Sequence, residues 1–453
     1  MTNTRNPRPD GGCLAWTIVA ASFMVSFLQD GFRDSFGLIL PSICQHFRIG
    51  RADASLTNSI MVFLTLGSGP LAAYMVRKLG HRLTTILGVV LSSLGLIIAG
   101  LYVRMTVGYY ESANITDVSD GDLLPIEGHH PSPMVLHLSI GGMTGLGFGL
   151  MYLPAMDIVK LYFDTNLGLA NGIAAAGSGF GQFVMAPIIS LAEAHLGLDG
   201  TFLLLAGVVS CSLVFGLMYS APQVPPGEED QQGETKLQES FHHSLLAVFK
   251  SPPLIFLLIS HFLLHLGIFV IFTFYSDRAS DFGISREAST ALLSIMGVSN
   301  FLGRIIFGKL LDRYRAKSFV MVTCILLING ISVLISQFIS SFIGQAIISA
   351  IFGATFGAYI TSLILIISMI VDDITFPFGI CLFIFALASL VGPTSAGYLY
   401  DVYGSYSHSF VIVGILSILG AAFLPLSWWA NQRTNSSKNQ QIKSAIKLPH
   451  NNQ

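Results

Sequence analysis

Residues 288–311 read ASTALLSIMGVSNFLGRIIFGKLL, an apolar run interrupted deep inside by a single charge, Arg304. A helix rises 1.5 Å per residue, so this run reaches about 36 Å, enough to cross the ~30 Å hydrocarbon core of a bilayer. A charged side chain near the centre of a bilayer costs roughly 3 kcal/mol, so it is turned toward a polar interior rather than toward lipid. Ile305, Ile306 and Phe307 follow the arginine before Lys309, Asp312 and Arg313 mark the interface. Arg304 therefore stands about two turns inside the boundary, too deep to be explained by snorkelling alone. It is the first candidate for a binding residue.

The rest of the chain has the same character. Of its 453 residues, 52% are hydrophobic and only 11% charged, with a mean hydropathy of +0.68. Soluble domains carry about 25% charged residues, which excludes a soluble globule. Apolar runs near the spanning length fall at 14–40, 54–76, 83–103, 134–156, 167–191, 201–221, 253–275, 288–311, 317–339, 342–371, 376–399 and 408–430. Backbone polar groups cannot be left bare in lipid, and no run alternates as a barrel strand does, so all twelve are expected to be helices in the bilayer. The five cysteines (Cys13, Cys44, Cys211, Cys324, Cys381) have neither disulfide nor metal spacing and read as buried small hydrophobes. The polar start MTNTRNPRPDGG and the long first apolar run argue against a cleaved signal peptide.

Basic residues orient the chain. Sixteen of the 23 Lys and Arg fall on the side that holds the N-terminus, five on the other, and Arg33 and Arg304 lie within spans. By the positive-inside rule both termini are cytoplasmic. The polar stretch 222–250, containing GEEDQQGETKLQES, divides the helices six and six and reads as a flexible cytoplasmic linker. The expected layout is a cytoplasmic N-terminus (1–13), a six-helix bundle (14–221), the linker, a second bundle (251–431) and a disordered polar tail (432–453). The loop near 104–133 falls outside and carries Asn114-Ile115-Thr116, a glycosylation acceptor pattern. GPLAAYMVRKLGHR (69–82) after the second helix and GRIIFGKLLDRYRAKS (303–318) after the eighth echo each other. Corresponding features in two halves suggest a duplicated bundle with its site at the midplane between them.

Three further motifs carry a resemblance. PDGGCLAW (9–16) precedes the first helix, YFDTNLGLANGIAAAGSGFG (162–181) opens the fifth, and GPTSAGYLYDVYGSY (392–406) closes the eleventh. In this order they resemble the monocarboxylate transporter (solute carrier 16) family of the major facilitator superfamily. Cys13 stands where that family has an aromatic, and Thr394 where a second proline is usual. The resemblance implies an all-α membrane protein with the major facilitator fold, twelve transmembrane helices in two pseudo-symmetric six-helix bundles, seated in the plasma membrane. Physically, Asp10 suits the positive end of the first helix, the glycines and alanines of 168–181 offer a face for close packing, and Pro393 permits a kink.

Inside the membrane the polar groups cluster. Asn300 and Arg304 share a face of the eighth helix, and Asp30, Arg33 and Asp34 share one of the first. The family pattern has the arginine at Arg304, an aspartate at the position of Asn300 and a lysine at that of Asp34. His261 and His265 are also four apart, and with no third ligand they read as a packed or pore-lining pair rather than a metal site.

The expected function is transport of small organic anions by alternating access. Arg304 would hold the carboxylate, Asn300 would add a neutral hydrogen bond, and Asp30, Arg33 and Asp34 would close the site from the other half. The resemblance adds Phe356 as an aromatic shaping selectivity. A proton is a candidate co-substrate, but Asn300 cannot carry it. The alternatives are a proton-independent carrier of zwitterions and related solutes (amino acids, creatine, carnitine, thyroid hormones) and a non-transporting sensor of the same fold. The family also implies a single-span accessory glycoprotein. No cofactor, metal or nucleic-acid partner is expected, and no nucleophile–base pair or phosphate loop suggests an enzyme.

Overall fold

The computed structural model describes residues 12–112, 131–163, 167–219, 250–371 and 375–446, and every regular element among them is helical. Ten helical stretches are long and apolar enough to cross a membrane. Two of the continuous runs contain a turn. Gly80 breaks Gly69–Ser112 at φ 82°, and Gly197 breaks Leu167–Ser210 at φ 70°, left-handed conformations that glycine adopts without a Cβ penalty. Arg51–Gly67 joins the run up to residue 79 across Ser68 to make one crossing. Twelve crossings result: α1 (Cys13–Asp34), α2 (51–79), α3 (81–112), α4 (134–161), α5 (167–196), α6 (198–217), α7 (Pro252–Asp281), α8 (Arg286–Arg313), α9 (Ser318–Ile335), α10 (Phe342–Ser368), α11 (Thr375–Tyr403) and α12 (Ser407–Ile446). The serines before α8 and α10 cap them, Ser285 Oγ accepting from the Ala288 amide and Ser341 Oγ from that of Gly344, each at 3.3 Å.

The packing has an internal repeat. In the second half α7 packs on α11 and α12, α9 on α10 and α12, and α8 on α10. In the first, α1 packs on the α5–α6 run, α3 on α6, and α2 and α3 on α4. The two halves meet along α2–α11 and α5–α8, pairs that exchange under the same repeat. This is the expected two-bundle arrangement.

Glycine sets how close the helices come. A Cβ on Gly181 would run into the Phe27 carbonyl of α1, and one on Gly177 into that of Phe23. Between the halves, a Cβ on Gly179 would lie 2.7 Å from the Phe301 amide nitrogen and one on Gly297 2.6 Å from that of Phe183. The small-residue run of α5 therefore packs on both α1 and α8, in keeping with how membrane helices gain contact without a hydrophobic drive.

Three expectations need comment. The tail expected to be disordered from 432 is helical as far as Ile446, because nothing in 432–446 is proline or glycine and α12 has no stop there. Cys13, Cys211 and Cys324 are exposed rather than buried, since the outer wall of a membrane bundle is itself apolar. The acceptor Asn114, the residues before 12 and the linker up to 249 lie outside the described residues.

Replacing Gly181 by leucine should separate α5 from α1 and lower the melting temperature of the detergent-purified chain by several degrees, read by fluorescence-detected size exclusion after heating. A variant as stable as the parent would mean that this approach is not close.

Candidate functional site

Four ionisable side chains and a tyrosine meet between the halves. On α1 the i, i+3, i+4 spacing puts Asp30, Arg33 and Asp34 on one face. The Arg33 guanidinium bridges the two carboxylates, 2.8 Å to Asp30 Oδ1 and 2.9 Å to Asp34 Oδ1. Gln29 donates a longer bond, 3.4 Å, to the same Asp30 oxygen. Both aspartates are buried, at 4% and 3% exposure. Two carboxylates against one guanidinium leave this cluster a formal charge of −1.

Arg304 stands on α8 in the other half. Its Nε donates to Asn300 Oδ1 at 3.0 Å, and Nη1 donates across the interface to the Ala175 carbonyl of α5 at 3.1 Å. Nη2 carries no hydrogen bond among the described residues, and no carboxylate there forms an ion pair with Arg304. Asn300 is fully buried with its Nδ2 unpartnered, pressed against α10 where Gly357 leaves room for its backbone and side-chain oxygens. Arg304 lies within electrostatic reach of Asp30, Asp34 and Arg33, and of Tyr152 on α4. Two positive and two negative side chains share the space, so their formal charges sum to zero.

One face of the bundle is closed over this space. The terminal face is the one where α1 begins and α12 ends, and the far face is opposite. At the far face Arg51 Nε, opening α2, donates to Asp277 Oδ2 of α7 at 2.9 Å and to the Tyr406 hydroxyl at 3.0 Å, and its guanidinium stacks 4.2 Å over Tyr400. Asp401 of α11 accepts from the Arg51 and Ala52 amides at 2.9 and 3.0 Å, so a carboxylate of one half caps a helix of the other. Gly50 makes room for it, since a Cβ there would lie 2.5 Å from Asp401 Oδ2. Tyr406 also donates to Asp277, and burial first, then that carboxylate, push its hydroxyl well above the usual tyrosine range. On the α5–α8 side Glu193 pairs with Arg286 and accepts from Ser42. Below these contacts Val62, Leu66 and Phe63 of α2 pack on Phe269 of α7 and on Phe385 and Ala386 of α11 as an apolar plug.

The residues expected at the site divide accordingly. Arg304 and Asn300 are joined, Asp30, Arg33 and Asp34 face them from the other half, and Phe356 packs in the aromatic contact between α7 and α10, 5.2 Å from the Phe272 ring. His261 and His265 form a buried pair of tilted rings with centroids 4.0 Å apart. Tyr152 was missed because a tyrosine in the apolar run GLMYLPAM gives no periodic signal. The Arg51–Asp277–Asp401 contacts give no signal in the sequence, because pairing across more than two hundred residues leaves no local trace.

The comparisons with known proteins agree with the fold. The family model of the Major Facilitator Superfamily matches residues 20–371 and 257–450. The chain is 28% identical over 439 residues to monocarboxylate transporter 3 of Rattus norvegicus, covering 94% of this chain and 82% of that protein. It is 26% identical over 424 residues to monocarboxylate transporter 4 of Gallus gallus, covering 92% and 83% of the two chains. Over 450 residues it is 26% identical to monocarboxylate transporter 12-B of Danio rerio, covering 92% and 87%.

Arg33 should be indispensable to folding. Its replacement by glutamine leaves two buried carboxylates four residues apart with no shared counter-charge, a loss of about 3–5 kcal/mol. Adding Asp30→Asn to Arg33→Gln should restore part of the melting temperature. Additive losses in this double-mutant cycle would show that the pair is not coupled.

Proposed function

We propose that this chain, which belongs to the Major Facilitator Superfamily, carries small organic anions across a membrane by alternating access, with Arg304 holding the substrate carboxylate. The observation that carries this reading is the state of that side chain. It lies between the halves, bonds neutral groups on both, lacks a carboxylate partner among the described residues and keeps Nη2 unused. A carboxylate arriving there gains a charge-assisted contact that can become bidentate. Tyr152 and the −1 cluster of α1 face it from the first half, so a bound anion would neutralise the charge that attracts α8 to that cluster. The names of the similar proteins, all monocarboxylate transporters, support the substrate class.

The biased placement of Lys and Arg supports a cytoplasmic terminal face, and the plasma membrane is the residence that the family resemblance implies. The far face is then extracellular, and the Arg51–Asp277–Asp401 latch and the plug beneath it close the outer side. Transport in this reading breaks these contacts and rocks the two halves about the site, as duplicated transporters do.

The site also restricts charge. The four charged side chains sum to zero, so an anion alone would leave the site at −1 in a medium where uncompensated charge is costly. A positive charge should enter with the carboxylate. A proton supplies it for a monocarboxylate. A zwitterion supplies its own, and the −1 cluster opposite Arg304 favours that second reading of amino-acid-like or carnitine-like cargo.

With the chain in liposomes, Arg304→Lys should lower uptake of labelled monocarboxylate at least tenfold and Arg304→Ala should abolish it, the cost of a lost bidentate contact to charge. The amount of inserted protein should not change. Uptake unaffected by Arg304→Ala would refute the site. Failure of every carboxylate and zwitterion tested to move through the parent would favour a non-transporting sensor.

A further inference from the structure

The charge restriction raises the question of where a proton would sit, and α7 holds an unused pair of bases. His261 and His265 are four apart, both at 0% exposure, with ring centroids 4.0 Å apart. Each is held through Nδ1. The His261 Nδ1 shares a short hydrogen bond with the Tyr359 hydroxyl of α10, and His265 Nδ1 donates to the His261 carbonyl at 2.7 Å. Both Nε2 atoms are buried with no partner. A histidine whose Nδ1 donates presents a bare lone pair at Nε2, and an unpartnered polar atom in an apolar site is costly unless it has a role.

The surroundings are otherwise uncharged. From α10 the titratable group facing the pair is Tyr359, and from α11 the backbone of Cys381 meets His261 while its thiol lies within reach of Tyr359, beside the Phe385 ring that lies 3.8 Å from His265. From α12 the contact is the Gly420 carbonyl, which accepts from Ser260. No lysine, arginine, aspartate or glutamate lies within electrostatic reach of either imidazole among the described residues. Phe385 links the pair to the plug, because it also packs on Phe269 against Val62, Leu66 and Phe63 of α2 in the other half.

Resting on the transport reading above, we propose that His261 and His265 form the proton-binding site of this carrier, taking up one shared proton when the plug between the halves parts. In the closed arrangement a proton there would be a bare charge in an apolar pocket. When α2 leaves α7 and α11, Phe385 loses its packing, water reaches Nε2, and the pair can hold a proton between two nitrogens. Asp30 and Asp34 are both engaged by the single Arg33 guanidinium, whereas neither imidazole Nε2 has a partner.

The double variant His261→Asn/His265→Asn tests this. The asparagine amide can keep each Nδ1 contact while removing both Nε2 atoms, and His265→Asn alone serves as a milder variant if the double one is poorly inserted. Full-length protein in liposomes is assayed with labelled lactate in two ways: net uptake under an inward proton gradient, and counterflow exchange at equal pH. For the parent, each unit of gradient should raise accumulation by up to about tenfold. The variants should keep counterflow, still sensitive to Arg304→Ala, and lose the gradient response. A gradient response retained by the double variant, one abolished instead by Asp30→Asn, or one absent from the parent would each overturn the proposal. Loss of the Arg304 dependence of counterflow would instead overturn the carboxylate reading.

Discussion

Charge compensation in a medium that tolerates little uncompensated charge is the constraint on which the rest depends. Asp30, Arg33, Asp34 and Arg304 sum to zero, but the zero is divided between two bodies: −1 on α1 and +1 on α8. Within either half alone the charge would be unbalanced. Together the halves compensate each other, and a carboxylate entering between them alters that balance. In the proposed reading the same electrostatics that make Arg304 costly to bury would make it responsive to an anion, and would link occupancy of the site to the attraction between the halves.

Helix packing must serve two opposed needs, tightness within a half and separability between halves. Inside the halves glycine achieves the first: Gly177 and Gly181 bring α5 onto α1, and Gly353 and Gly357 bring α10 onto α8 beneath Asn300. Between the halves Gly179 and Gly297 also bring α5 close to α8, but the contacts at the closed end have a different character. At the far face they are polar and few, Arg51 with Asp277, Asp401 with two amides of α2, and Glu193 with Arg286. Hydrogen bonds of this kind exchange readily with water, so breaking them has a modest net cost. An interface meant to open is well served by polar contacts that water can replace.

Much of this was legible in the sequence because the bilayer simplifies the problem. A spanning run of about twenty apolar residues has few alternatives to a helix, so the crossings were placed to within a few residues even where Gly80 and Gly197 conceal turns. Arg304, Asn300 and the α1 triad were visible for the same reason, as polar groups where polar groups are costly. Tyr152 was not, since a tyrosine is ordinary in an apolar helix. Neither was the latch, whose Arg51, Asp277 and Asp401 sit at helix ends where charges are expected, and whose pairing exists only in three dimensions. The helical stretch 432–446 escaped notice because polar composition is silent about whether a helix continues.

The central claim is that the Arg304 guanidinium between the halves recognises a carboxylate, and ligand chemistry tests it most directly. Uptake of a labelled monocarboxylate by the parent chain is challenged with two unlabelled competitors of the same shape, the carboxylate itself and its neutral amide. The account predicts that the carboxylate competes and the amide does not, and that the difference disappears for whatever uptake or binding remains in Arg304→Ala. Equal competition by acid and amide in the parent would contradict it.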